Sequence, residues 1–379
     1  MRKTTFALLC LQGALLSFNV AATAALIPSV AREFGAAHFV TGRIVWLYML
    51  AYGSAALVYG PLVRVVSVRR IQLVCFALFV LGNCLAGFAP RLEVLCVARF
   101  AMGLFGASVI PIGLIMIGAH ARERERGKRV GTFFGITFIA SLGGLFLSGV
   151  VYWRLIYLIP ALLGAVLWIH MYWYLPAYRH RADGRIVNYA QALRNERVLT
   201  LFGYIFCVSF LYHSVQQWLA VFYAAELNLK QYTISMLITL TSASGIFGEL
   251  AGGVSADKLG RRRTINAGLT FMIIALLLLA ARLPVALNCA VMVIWGLGWT
   301  FNHSGLSTLL TDLPKSFLNE AASLNSSVRF LAGGAGAAAG GFLMKRSFNT
   351  GLGVAGVCLL TLLLFSNTLA RKRRKSYVS

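Results

Sequence analysis

The chain has 379 residues, 59% of them hydrophobic and only 12% charged. Soluble globular chains run nearer about half apolar and about a quarter charged, so a set of soluble domains is excluded. A net charge of +24 would suit a nucleic-acid binder, but where the basic residues fall excludes that reading too.

A bilayer core takes roughly 20 apolar helical residues per crossing. Taken in order, the apolar blocks run 6–28, 44–62, 71–88, 92–118, 130–151, 155–175, 198–224, 232–254, 265–281, 284–311, 321–343 and 352–370. This predicts an all-α polytopic membrane protein with twelve transmembrane helices. Of the 35 Lys and Arg, 25 lie at the termini or in the alternate connections that share their side, 8 lie on the opposite side, and Arg99 and Arg329 lie within spans. The positive-inside bias accounts for the charge and puts both termini in the cytoplasm of a cell inner (plasma) membrane protein. The basic tail Arg371, Lys372, Arg373, Arg374 and Lys375 could also touch anionic lipid.

The start, MRKTTFALLCLQGALLSFNVAATAA, mimics a secretory signal, with a basic head, an apolar run and small residues around Thr23. Removing it would leave an odd number of spans and break the repeat described next, so it is read as the first helix. All seven cysteines fall within apolar blocks, with no CxxC pattern and no histidine beside them, so no disulfide framework, metal site or cofactor is expected.

One long polar connector, 177–197, divides the spans six and six: an N-terminal bundle 1–176, a cytoplasmic linker, and a C-terminal bundle 198–379 with its tail. GPLVRVVSVRR from Gly60 aligns with GVSADKLGRRR from Gly253 at an offset of 193, and Gly143–Gly144 match Gly340–Gly341 at an offset of 197. Two pseudo-symmetric halves with a polar pathway are the plan of many secondary transporters.

The stretch Gly253, Ala256, Asp257, Lys258, Gly260, Arg261, Arg262 has the full spacing of a G-x-x-x-D-[RK]-x-G-R-R signature. On it, and over essentially its whole length, the chain resembles the major facilitator superfamily. The first-half copy keeps Gly60, Pro61 and Leu62 but has Arg64 for the Asp and Ser67 for the second Gly. Arg99, Gly103 and Gly106 resemble the R-x-x-x-G-x-x-G element of proton-coupled members, while Gly143, Gly144, Trp153 and Arg154 resemble the drug/metabolite:proton antiporter branch. Ile139 and Ala140 replace that branch's Gly-Pro pair. The resemblance implies a gating role for Asp257 near a helix N-terminus, where an anion is favoured. It also implies a cavity lined by helices 1, 4, 7 and 10.

Glu249 is the one acidic residue deep in a span, eight residues and so about 12 Å from Asp257, and an intramembrane charge is a functional candidate by default. Arg329 is at similar depth and is a better partner for it than Arg99, though helices 8 and 11 need not touch; proton coupling by Glu249 is the functional reading and a static ion pair the alternative. The resemblance implies that Arg99 helps transfer protons or holds an anionic substrate near the cavity; the alternative is a snorkelling or carbonyl-satisfied arginine. The seventh and tenth spans hold Tyr212, His213, Gln216, Gln217, Trp295, Trp299, Asn302 and His303; polar groups in hydrocarbon must face protein or water. Read with the resemblance, they are substrate contacts, as is Asn19, though either histidine could instead be an interhelical hydrogen bonder. GGAGAAAGG from Gly333 lacks the Lys-Ser or Lys-Thr of a phosphate loop and fits close helix packing.

The expected protein is a monomeric secondary active transporter that moves a small molecule by alternating access, with protons and the lipid bilayer as its other partners. Proton-coupled efflux of a drug or metabolite leads; proton-symport uptake of an organic acid or sugar is the alternative. An enzyme is disfavoured because neither HExxH nor paired intramembrane aspartates occur, and a sensor because no loop could hold a soluble domain.

Overall fold

The computed structural model describes residues 3–177, 189–310, 312–313 and 318–371. Most of the linker (178–188) and of the basic tail (372–379) lie outside the described residues. Twelve long helices are formed: α1 Lys3–Phe34, α2 His38–Val65, α3 Val68–Gly87, α4 Leu92–His120, α5 Glu123–Ser148, α6 Leu155–Tyr174, α7 Glu196–Ala225, α8 Gln231–Lys258, α9 Arg261–Ala280, α10 Val285–Leu310, α11 Leu318–Met344 and α12 Phe348–Arg371. Eleven of them carry an apolar stretch sufficient for a membrane crossing, and α11 is the remaining 27-residue helix. A short helix, Tyr189–Arg194, precedes α7.

Among the described residues four helices are interrupted; α2 breaks only at Gly42, between His38–Thr41 and Arg43–Val65, and of the other three, two break for a legible reason. Proline lacks an N–H, and its ring collides with the carbonyl four residues earlier. Pro28 acts on Ala24, inside the tight 3-10 step Thr23–Leu26 of α1. Pro111 acts on Ala107, where α4 breaks between Leu92–Gly106 and Val109–His120. The third break, at Gln217 and Trp218 in α7, has no proline. Helix α5 begins seven residues earlier than the apolar pattern suggests, because Glu125 and Arg129 pair one turn apart at 2.8 Å and make its basic first turns helical.

The chain forms two compact units, Met1–Val187 with Lys230–Ser235, and Asn188–Leu229 with Met236–Ser379. The start of α8 thus clusters with the first unit, where Gln231 Nε2 donates to Ala25 O at 2.9 Å and Gln231 Oε1 accepts from Ser29 Oγ at 2.9 Å. In the first unit α1 packs on α5 and α6, α2 on α4, and α3 on α4 and α6; in the second, α7 packs on α11 and α12, and α9 on α10 and α12.

Glycine contacts show how closely the units repeat one another. A Cβ on Gly103 of α4 would lie 2.4 Å from Tyr48 O of α2, and one on Gly296 of α10 would lie 2.2 Å from Thr241 O of α8. Both members of the second pair follow the first by 193 positions. A Cβ on Gly144 of α5 would lie 2.0 Å from Phe18 O of α1, and one on Gly340 of α11 would lie 2.0 Å from Ser214 O of α7, a shift of 196 for both. The pairing of Gly143 with Gly340 is therefore off by one residue: Gly144 is the counterpart of Gly340. Along GGAGAAAGG, a Cβ on Gly336 would lie 2.1 Å from Phe210 O and one on Gly341 2.2 Å from the Trp218 ring, so this stretch brings α11 onto α7. Without water to drive helices together, such backbone approach supplies the packing.

A side chain at these points must displace a backbone, which typically costs about 1 to 3 kcal/mol or more. Gly340→Ala is expected to lower the thermal midpoint of the purified protein by several degrees or abolish its recovery, whereas Gly353→Ala, where a Cβ meets open space, should be neutral. Equal midpoints for the two variants, read by size-exclusion after heating, would count against backbone packing as the constraint.

Candidate functional site

In the second unit the side chains singled out on α7 and α10 do come together. Tyr212 stacks between Trp295 (centroids 5.1 Å) and Trp299 (4.0 Å), with ring planes within 17°. Trp295 and Tyr212 are buried and Trp299 is half-buried. Trp295 Nε1 donates to Gln216 Oε1 at 2.7 Å, and Gln217 Nε2 lies 3.0 Å from His213 Nδ1. His213 meets the rings of Tyr212 and Trp299 edge-on at 5.0 and 5.6 Å, and the His303 ring lies 6.1 Å from Trp299. The break in α7 falls at this cluster, as breaks in transporter helices do where they line a site.

Glu249 of α8 joins the cluster through His303, whose Nδ1 is 2.9 Å from Glu249 Oε1. Ser304 Oγ donates to the Glu249 backbone carbonyl at 3.1 Å. The Glu249 side chain is 46% exposed and that of His303 32% exposed, so the pair is on an open face of the bundle. Gly248 and Gly252 make this possible, since they bring α8 against Thr300, Leu297, Ser304 and Phe301 of α10.

Arg329 of α11 is within electrostatic reach of Glu249, His213 and His303. The alternative of an ion pair between Arg329 and Glu249 is not formed: Arg329 Nε donates instead to Asn325 Oδ1 at 2.9 Å. Among the described residues its Nη2 is buried with no hydrogen-bond partner, a state that costs about 1 to 3 kcal/mol or more for a charged donor. Asn302 is not part of the cluster. It is fully buried, with Nδ2 3.5 Å from Ile265 O of α9, because Gly268 admits the Asn302 backbone at close range.

In the first unit Arg99 is 1% exposed and Asn19 is 0% exposed. The Arg99 Nε donates to Ile44 O at 3.0 Å, its Nη1 to Asn19 Oδ1 at 2.6 Å, and its guanidinium is 4.2 Å over the Tyr48 ring. Asn19 Nδ2 in turn donates to Asn83 Oδ1 at 3.1 Å, and Asn83 Nδ2 to Phe79 O at 2.9 Å. The two residues are brought together, but in a closed network of α1, α2, α3 and α4 rather than on an open face. The geometry is that of the carbonyl-satisfied arginine, with a ring in place of a carboxylate.

At the gating motif Asp257 is exposed in the last turn of α8, and Arg262 is exposed in the first turn of α9. Arg261 pairs with Asp312, just past α10, not with Asp257. Gly260 has φ 93°, a left-handed conformation that glycine alone adopts without strain. Its first-half counterpart Ser67 has φ −61° and ψ 134°, and its Oγ accepts from Arg70 N at 3.4 Å as the N-cap of α3. The two connections differ in conformation, which is why the second-half glycine has no equivalent in the first. Gly60 and Gly253 both fall inside their helices, in α2 and α8.

One cluster escaped the sequence reading. Glu33, at the end of α1, accepts from Tyr152 Oη at 2.8 Å, from Trp153 Nε1, and from Arg154 Nη2 at 2.8 Å. Arg154 also donates to Gly87 O at 3.0 Å and Ala89 O at 2.8 Å, closing the end of α3. Partial burial opposes the Arg154 charge, yet the hydrogen bonds and charges of Glu33 and Tyr152 hold its pKa above the usual arginine value. Trp153 and Arg154 had a motif to mark them; Glu33, over a hundred residues away, had none.

The family model for the major facilitator superfamily matches residues 9–337. The chain belongs to the major facilitator superfamily. It is 22% identical over 359 residues to an uncharacterised MFS-type transporter, YbcL, of Bacillus subtilis, covering 90% of each chain. Over 163 residues it is 31% identical to the thioclapurine efflux transporter tcpA of Claviceps purpurea, covering 42% of this chain and 30% of that one. A bacterial homologue of the human lysosomal transporter Spinster, in an inward-facing and occupied conformation, superposes with a TM-score of 0.80 at 13% identity, covering 98% of both chains. The protein is thus a multi-pass membrane transporter with the superfamily's fold of two pseudo-symmetric six-helix bundles, and not an enzyme.

Proposed function

We propose that this transporter is a proton-coupled exporter of a small drug-like or metabolic compound, working as a monomer by alternating access, with the α7–α8–α10–α11 cluster as its substrate and coupling site. The Glu249–His303 pair carries the proposal. A carboxylate and an imidazole 2.9 Å apart on an open face can hold one proton more or fewer, and each change alters the charge that faces Arg329. Export is supported by the efflux function in the name of the fungal relative and by the antiporter-like residues Gly143, Gly144, Trp153 and Arg154. The second reading, proton symport of an organic acid, is favoured by Arg329: an anion there and a proton on Glu249 would load together and so travel together.

Everted and right-side-out vesicles separate the two readings, using a substrate from a thermal-stabilisation screen of the purified protein. Glu249→Gln, which mimics the protonated carboxyl, is expected to abolish accumulation driven by a pH gradient and to spare counterflow of labelled for unlabelled substrate. Equal loss of both would make Glu249 a structural group; intact gradient-driven accumulation would remove it from coupling.

The gating residues are proposed to act through Asp257, supported by the complete second-half motif and its left-handed Gly260. Asp257→Asn is expected to slow counterflow about tenfold or more with substrate binding near normal; the change removes a gate charge and disturbs no packing of an exposed side chain. Unaltered counterflow would leave the motif with a purely structural part.

Cytoplasmic termini flanking bundles 1–176 and 198–379 are supported by the 25-to-8 partition of basic residues. A reporter active only in the cytoplasm should work when fused after Ser379 and be silent when inserted at Asn228. The opposite pattern would overturn this orientation.

A further inference from the structure

We infer that the open face of the second bundle takes a planar organic anion, its ring lying on Trp299 and its carboxylate, or an equivalent acidic group, meeting Arg329. The inference rests on the reading of this cluster as the substrate site, and is independent of the coupling ion and of the direction of transport.

Charge at the site is uneven in a way that selects a ligand. Its one carboxylate, Glu249, is already hydrogen-bonded to His303. Its guanidinium is served on one edge by the neutral amide of Asn325, while Nη2 is buried without an acceptor among the described residues. A cationic ligand would share Glu249 with His303 and would leave the Arg329 Nη2 without an acceptor among the described residues. An anion supplies the missing acceptor, and a carboxylate does so in the planar geometry that a guanidinium fork matches.

The ring is selected by the aromatic stack. Trp295 and Tyr212 are its buried inner members, so the stack ends at half-buried Trp299. The imidazoles beside Trp299 are inclined to it by 65° and 41°, so neither covers it flat, and a flat conjugated ring can continue the stack. An aliphatic acid would satisfy Arg329 and leave this platform unused.

The test uses the full chain in lipid nanodiscs and four probes: indole-3-acetate, indole-3-acetamide, tryptamine and cyclohexylacetate. Calorimetric titration should give roughly tenfold or tighter binding of indole-3-acetate over the amide and the amine, the size of a charge-assisted hydrogen bond. A clear preference over cyclohexylacetate should accompany it. Arg329→Gln should bring acid and amide level, and Trp299→Ala should remove the preference for the aromatic acid while keeping that for the acid over the amide. Should Arg329→Gln fail to fold, Arg329→Lys decides: it keeps the charge and loses the fork, so the acid-to-amide ratio should fall, and an unchanged ratio would overturn the assignment. So would equal binding of acid and amide by the unmodified protein, or saturable binding of none of the four. Selective acid binding together with gradient-driven transport that survives Glu249→Gln would sink the coupling proposal alone.

Discussion

Within each bundle the helices meet backbone to backbone, and this close approach is the constraint on which the remaining features depend. In hydrocarbon the hydrophobic effect does not pull one apolar helix onto another, so contact must come from shape, dispersion and the occasional polar bond. Gly103, Gly144, Gly296 and Gly340 supply the shape, each admitting a carbonyl of the facing helix where a Cβ would collide with it. Because α8 is held against α10 by Gly248 and Gly252, the one carboxylate deep in α8 comes within reach of His303. Because α11 is held against α7 in the same way, Arg329 shares an electrostatic neighbourhood with His213.

The same packing plan is used to different ends in the two units. The first unit buries its intramembrane cation completely: Arg99 is enclosed by Ile44 O, Asn19 and the Tyr48 ring. Removing a member of such a network leaves a buried charge partly unmet, which is costly, so the arrangement is rigid. The second unit leaves Glu249, His303 and Trp299 partly exposed and, among the described residues, keeps one nitrogen of Arg329 without an acceptor. A satisfied network holds helices together; an unsatisfied one is open to a ligand or a proton. This contrast is the ground on which the candidate chemistry is proposed for the second unit, although the superfamily resemblance also implied a role for Arg99.

The gating motif shows how a repeat diverges. Gly260 occupies a left-handed conformation and is followed by Arg261, which is tied to Asp312. Ser67 at the matching place is extended and caps α3. With ordinary backbone angles the first connection does not require glycine, and Ser67 there caps the next helix. On the far side of the first unit, Glu33 gathers Tyr152, Trp153 and Arg154, while Arg154 satisfies two carbonyls at the end of α3.

The sequence by itself determined the number of helices, their division into repeats, the family and most members of the second-unit cluster. Those properties are written locally: a span is a run of apolar residues, a motif is a spacing, and histidine, glutamine and tryptophan inside such a run are conspicuous on their own. Only the tertiary structure decided which partner each polar group takes. Equal depth suggested Arg329 for Glu249, but depth along a helix says nothing of rotation about its axis, and His303 holds the carboxylate instead. The same ambiguity turned Asn302 towards α9 and hid the link between Glu33 and Arg154, 121 residues apart. Composition and periodicity locate a residue along its own helix; the facing backbone, brought near by glycine, sets what that residue touches.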